Sequence, residues 1–321
     1  METRIDGIGR VHDRAALAPT RTALADQAEA RIAAARAAIT RSAVLPGART
    51  TGSQAAEARV PGPAPLPVQF AAAPAAPPPA PSTSELAAMS AAVYAPGTVP
   101  PTGWRIASPT QLAEIGLTPA MLTSPASEFR AEVYVRDFAG QTSYTVAFRG
   151  SQSASDWRSN LQQGTGFRSD HYNRALEIAQ ALTVPQGARV TLTGHSLGGG
   201  LASAAALAAE LDAVTFNAAG LSQTTLGDAR VIAARDGQVT TPDISAYYVR
   251  GEVLSALQDG GDRVLGAILG GIPGALVADL PEAVGTRIAL DPVRPDGLRW
   301  WQDNPVSKHF IDYVIASVEG A

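Results

Sequence analysis

The chain of 321 residues contains no cysteine, so neither a disulfide framework nor a thiolate metal site can exist and the folded part must be held by its core alone. Lysine is almost missing as well: Lys308 stands alone against abundant arginine and alanine, the coding bias of a GC-rich, bacterial genome. There is no excess of basic charge. A formal net charge of −4 gives no electrostatic footing for nucleic acid and disfavours adhesion of the whole protein to anionic membranes, so any membrane contact has to be local. Long apolar runs are lacking too. The longest, Val264 to Ala278, falls short of the roughly 20 residues of a spanning helix. The first residues are charged and helix-compatible, with no apolar core of a signal peptide. The expectation is a bacterial protein that is secreted by a route independent of a signal peptide, or that stays in the cytoplasm. No internal repeat is present.

What the chain does contain is unevenly spread. Residues 1–41 form an Ala/Arg-rich arm in which Leu17, Leu24, Ile32 and Ile39 are spaced too loosely for more than one or two helices or a disordered segment. Residues 42–82 shift to Pro, Ala and Gly, with Pro61, Pro63, Pro65, Pro67 and the run Pro77-Pro78-Pro79, which favours extended chain and reads as a linker. The packed domain then occupies 83–321. Ser82 followed by Glu85 is a capping-box pattern that opens a helix over Leu86 to Tyr94. Beyond it, β-type and helical runs alternate. A hairpin is predicted from Glu128 to Val135 and Ser143 to Phe148 around Gly140, followed by strands at Arg189 to Thr193, Ala213 to Asn217 and Ser245 to Arg250. Helices at Asp170 to Leu182 and Leu201 to Leu211 lie between them. This rhythm predicts an α/β fold with a mostly parallel central sheet flanked by helices.

Gly194-His195-Ser196-Leu197-Gly198 is a G-x-S-x-G sequence, whose glycines permit a sharp turn that lifts a serine hydroxyl to the tip of a strand. Chance alone yields such a match in roughly one chain in five of this length and composition, so the context decides. A short β-branched strand leads in and a helix of small residues leads out, as a nucleophile elbow requires. A serine hydroxyl needs a base, and the chain has four histidines. His12 sits in the arm, His195 points away from Ser196 within the elbow, and His171 reads as a surface residue at a helix start. His309 lies beyond the serine, in the chain order serine, acid, histidine of α/β-hydrolases. The acid should sit just past the carboxyl end of an intervening strand, since sites in parallel sheets open there. Glu252 fits that place best, with Asp259 and Asp262 as alternatives. The backbone N–H of Leu197 supplies one donor for an oxyanion.

Val146-Ala147-Phe148-Arg149-Gly150-Ser151, then Trp157, and later the elbow with Gly199, together resemble the class 3 lipase family of fungal triacylglycerol lipases and of bacterial and plant phospholipases A1. The resemblance runs from about Ser84 to Val318 in element order, with close motif matches confined to these segments and to Phe216-Asn217-Ala218. It implies an α/β-hydrolase fold, makes Ser151 the second oxyanion donor, and makes the segment from Gln152 to Leu161 a lid, with Trp157 and Leu161 facing the site or serving simply as core. Glu252 departs from the aspartate usual in the family. Trp300 and Trp301 read as core in preference to a lipid-contacting pair.

The expected activity is therefore serine-dependent hydrolysis of lipid carboxylesters. Phospholipase A1 is favoured because bacterial members with this elbow resemble the chain more than disulfide-bearing fungal enzymes do. Triacylglycerol lipase and soluble esterase are alternatives, as is a non-catalytic binding or effector module. The chemistry implies no metal or organic cofactor. Lipid substrate, transient contact with a membrane surface and a secretion or accessory partner bound through the arm are the expected partners.

Overall fold

The structure, a computed structural model, describes residues 77–124, 127–151, 166–236, 240–259 and 281–321. The arm, the linker up to residue 76, Trp157, Leu161, Asp262 and the stretch from Val264 to Ala278 lie outside the described residues. At the start of the described chain Pro78 and Pro81 are buried, and the Pro78 carbonyl accepts a bond from Arg189 Nε at 2.9 Å. The end of the proline-rich stretch thus already touches the domain. Ser82 then caps helix α1 (Thr83–Ala92): its hydroxyl accepts from the Glu85 N–H at 3.2 Å and the Glu85 carboxylate accepts from the Ser82 N–H at 2.8 Å. This is the capping box foreseen from sequence.

Eight strands form among the described residues: β1 (Arg105–Ile106), β2 (Thr123–Ser124), β3 (Phe129–Phe138), β4 (Gln141–Phe148), β5 (Arg189–His195), β6 (Ala213–Phe216), β7 (Ile244–Val249) and β8 (Thr286–Leu290). Their order is β1-β3-β4-β5-β6-β7-β8, with β2 pairing separately with β3. The pairs of β3 with β1, β2 and β4 are antiparallel, and every pair from β4 through β8 is parallel. The β3–β4 hairpin turns at Ala139 (φ 50°) and Gly140 (φ 81°), the doubly positive φ that a two-residue turn between right-twisted strands needs. Helix α2 (Pro109–Glu114) precedes the hairpin, and α3 (Gly166–Ala181), α4 (Leu197–Ala209) and α5 (Gln223–Ala233) are the crossovers leading into β5, β6 and β7. Short α6 (Val253–Gln258) follows β7, and α7 (Ile311–Glu319) follows β8.

Side-chain alternation distributes the helices over two faces. Val190 and Leu192 of β5 join Tyr144, Val146 and Phe148 of β4 in a core completed by Ala175 and Ile178 of α3 and by Leu201 and Ala205 of α4. The intervening residues face the other way. There Thr193 Oγ1 bonds Ser90 Oγ of α1 at 3.0 Å, while Leu86, Phe216, Val249, Leu290, Tyr313 and Val314 make a second core beneath α1 and α7. The sheet is therefore covered on both sides, and α4 is buried along nearly its whole length because glycine and alanine let it lie close. Trp300 and Trp301 correct the expectation of a core pair. They occupy a single 3₁₀ turn, 74% and 57% exposed, and satisfy each other edge to face at 5.7 Å, with the Arg299 guanidinium 5.1 Å from the Trp301 ring centre.

Candidate active site

Strand β5 ends at His195 and α4 begins at Leu197, so Ser196 alone makes the turn. Its backbone lies at φ 60° and ψ −125°, a region that residues with a side chain hardly populate. The turn is bonded shut: the Ser196 N–H donates to Phe216 O at 3.0 Å, and the Ser196 carbonyl accepts from the N–H groups of Gly199, Gly200 and Ala219 at 3.0, 3.2 and 3.0 Å. Close approach dictates the flanking glycines. A Cβ on Gly194 would stand 2.3 Å from Gly198 O, and one on Gly198 would stand 2.2 Å from Phe148 O. The start of α4 is thereby pressed against the end of β4.

That contact also sets Gly150 against the elbow. A Cβ on Gly150 would lie 2.6 Å from His195 O and 3.4 Å from Ser196 Cβ, so Ser151 follows directly beside the elbow. Leu197 opens α4, and the first N–H groups of a helix have no acceptor within it.

His309 and Glu252 meet at the serine. His309 Nε2 is 2.9 Å from Ser196 Oγ, and His309 Nδ1 is 2.7 Å from Glu252 Oε2. All three are buried, Glu252 completely. A carboxylate so placed must be heavily hydrogen-bonded. Glu252 meets that need by capping α6: Oε2 accepts from the Leu254 N–H at 2.8 Å and Oε1 from the Ser255 N–H. The next residue, Val253, donates its N–H to Pro305 O at 3.0 Å, which joins α6 to the loop of His309. Asn304 shapes that loop, its Oδ1 accepting from the N–H groups of Val306 and Ser307 at 3.0 and 3.1 Å. Asp259 lies elsewhere, paired with Arg287. His171 bonds the Ser127 carbonyl and packs on Phe129, a structural role.

Beneath the site, Tyr94, His195 and Asn217 hold partners that sequence reasoning did not reveal. His195 does point away from Ser196, as expected, but its ring is bonded on both sides: Nδ1 lies 2.9 Å from Tyr94 Oη and Nε2 lies 2.6 Å from the His309 carbonyl oxygen. Asn217, at φ 43°, sends Nδ2 to the carbonyls of Lys308 and His309, both at 3.1 Å, and accepts the Val249 N–H on Oδ1 at 2.9 Å. Strand alternation placed His195 on this face, but nothing local announced partners about a hundred residues away in either direction. Burial, followed by the proximity of the His309 ring, pushes the pKa of His195 from 6.5 down to about 3, against the opposing pull of its bond to the His309 carbonyl.

Comparison with known proteins identifies the family. The Tle-like phospholipase domain, of the phospholipase-like group, matches residues 85–296, more than half of the chain. The chain belongs to the Tle-like phospholipase family. An extracellular phospholipase A1 of Serratia liquefaciens is 32% identical over 240 residues, covering 73% of this chain and 69% of that protein. Among solved structures, a triacylglycerol lipase from Penicillium expansum has a TM-score of 0.38 at 12% identity, covering 73% of this chain and 93% of the other. A Rhizomucor miehei lipase in complex with its propeptide has a TM-score of 0.33 at 15% identity, covering 76% and 96%. Within the Tle-like phospholipase domain of this chain lie Ser151, Ser196, Leu197 and Glu252, whereas His309 follows its matched end.

The buried ring of His195 makes folding pH-dependent. Unfolded, it titrates near 6.5; folded, near 3; between these values unfolding takes up a proton, so its contribution is undiminished above about 6.5 and declines as pH falls. The slope is about 1.4 kcal/mol per pH unit. Urea unfolding at pH 7 and pH 5 is expected to show the native protein losing about 2 kcal/mol more than His195→Gln does. Equal losses in the two proteins would contradict this assignment.

Proposed function

We propose that this protein is a serine hydrolase of lipid carboxylesters, a phospholipase A1, with Ser196 as nucleophile, His309 as base, Glu252 as acid, and the N–H groups of Ser151 and Leu197 as oxyanion donors. The observation that carries the reading is the unbroken relay from Glu252 through His309 to a serine held at a strained strand-to-helix turn. It occurs in a Tle-like phospholipase domain whose relative in Serratia liquefaciens is an extracellular phospholipase A1.

Each residue then has one task. His309 Nε2 takes the hydroxyl proton as Ser196 Oγ attacks the sn-1 ester carbonyl. The carbonyl oxygen gains negative charge and rests on the N–H groups of Ser151 and Leu197, as donors fixed by the backbone would stabilise it. His309 returns the proton to the departing glycerol oxygen, which releases a lysophospholipid. It next deprotonates a water that attacks the acyl-serine, and gives that proton to Ser196 Oγ as the fatty acid leaves. Glu252 keeps the proton on Nδ1 and stabilises the imidazolium; its two bonds from α6 mean that it meets the ring already oriented.

A phospholipid labelled separately at its two acyl positions, offered beside triacylglycerol and a short soluble ester, tests the reading. Release from sn-1 is expected, with Ser196→Ala inactive but normally folded and Glu252→Gln slower by on the order of 10⁴. Preferential triacylglycerol cleavage would favour the lipase alternative, and hydrolysis of the short ester alone a soluble esterase. Retained activity in Ser196→Ala would remove the reading altogether, and failure of a fluorophosphonate to label the native serine would favour a non-catalytic binding module.

Contact with the membrane surface belongs to the exposed Trp300 and Trp301 and to Phe310, the neighbour of His309, which is also exposed. Tryptophan suits such a boundary because its apolar ring and its N–H favour a half-wet setting. Replacing both tryptophans by alanine is expected to slow hydrolysis of phospholipid vesicles several-fold while the short ester is turned over as before; equal slowing on both would assign the pair to the fold.

The arm of residues 1–41 is left for export or for an accessory partner, in keeping with the extracellular relative. Deleting residues 1–76 is expected to leave both hydrolytic activities unchanged. An inactive truncated protein would place the arm within the hydrolase instead.

A further inference from the structure

We propose that His195 is a positioning residue for the catalytic base: its ring holds the main chain of His309 in place from the same elbow that carries the nucleophile. The inference rests on the reading of Ser196 and His309 as nucleophile and base.

The hydrogen-bond directions follow from the partners. A backbone carbonyl only accepts, so at 2.6 Å from His309 O the Nε2 atom of His195 must carry the proton. Nδ1 therefore presents a lone pair, which the Tyr94 hydroxyl fills as donor at 2.9 Å. Tyr94 is set in turn by the N–H of Gly150 and by its place just beyond α1. Asn217 supplies the second donor to His309 O. The carbonyl of the base is thus gripped from the end of β5 and from the residue after β6. The bonds of the His195 ring nitrogens go to Tyr94 and to the His309 carbonyl, and the two imidazole centres stand 5.2 Å apart, tilted by 44°.

The grip matters because Ser196 and His309 are 113 residues apart and meet through their side chains. A proton transfer over 2.9 Å tolerates little drift, and misplacement by about 1 Å can cost a hundredfold in rate. Since His195 is joined to Ser196 by a peptide bond, a shift of the elbow carries nucleophile and tether together. Burial keeps the ring neutral through the pH range in which hydrolysis is assayed, so the donor is constant. A histidine that merely filled space could be replaced by any ring of similar size. A tether requires an N–H at the Nε2 position.

The decisive comparison uses the full chain with His195→Gln, whose amide nitrogen reaches the Nε2 position, His195→Asn, whose amide falls short of it, and His195→Phe, which keeps bulk without a donor. On p-nitrophenyl butyrate, kcat is expected to stay within about threefold for the glutamine variant and to fall at least about tenfold for the other two, with KM within about twofold throughout. Melting temperature identifies any variant that does not fold; if His195→Phe is one, the glutamine and asparagine pair decides. Equal kcat in that pair, or losses appearing in KM, overturns the tether. An active Ser196→Ala overturns instead the reading beneath it, so the two failures are told apart.

Discussion

The backbone of Ser196 is held where a side chain costs of order 1–3 kcal/mol, and much of the domain exists to keep it there. Relaxing the turn would draw α4 away from β4 and β6, opening contacts in which no atom larger than the hydrogen of glycine fits. The penalty is offset by the buried length of α4, by the central place of β5 between two parallel neighbours, and by the bonds that close around the serine carbonyl. Strain at the elbow and density around it are two sides of one constraint. The hydroxyl stands clear of its own backbone because everything behind it is packed.

The site is built from consecutive strand ends. β5 delivers Ser196 and His195, β6 is followed by Asn217, and β7 is followed by Glu252, while the loop of His309 meets residues from all three on its way into α7. Together the strand ends hold His309 at three atoms: its ring at Nε2 and Nδ1, and its carbonyl from beneath, where β5 and β6 share it. The acid adds a further coupling, because the carboxylate that orients the ring also terminates α6, and Val253 of that helix is bonded to the loop of the base. Orientation in this centre depends on main chain more than on side-chain packing.

Much of this was legible in the sequence, for reasons that can be named. The elbow, the acid after β7 and the late histidine are tied to short local patterns and to chain order, which a strand, turn and helix sequence reveals directly. The β3–β4 hairpin was legible from its turn, although both strands run longer than their apolar alternation suggested. The start of α4 was read four residues late, at Leu201, because Gly198 to Gly200 are poor helix formers in isolation; tertiary contact overrides that preference. Strand β8 was missed because it is short and mostly half-exposed, with an arginine in it. The bonds of Tyr94 and Asn217, and those that the His309 carbonyl accepts, were illegible because they join residues 91 to 114 apart. Trp300 and Trp301 misled because large aromatics are usually covered; here they cover one another at the surface.

The separation of nucleophile and base along the chain has a consequence for biosynthesis. A ribosome that has released the elbow has still to make β6, β7, β8 and the loop of residue 309 before any base can reach the serine. Until then the emerging polypeptide holds a hydroxyl with nothing to deprotonate it and a carboxylate with nothing to orient. Partly synthesised chains of this lipid-ester hydrolase therefore lack the meeting of side chains that the complete fold brings about; the site arrives with the closing of the fold.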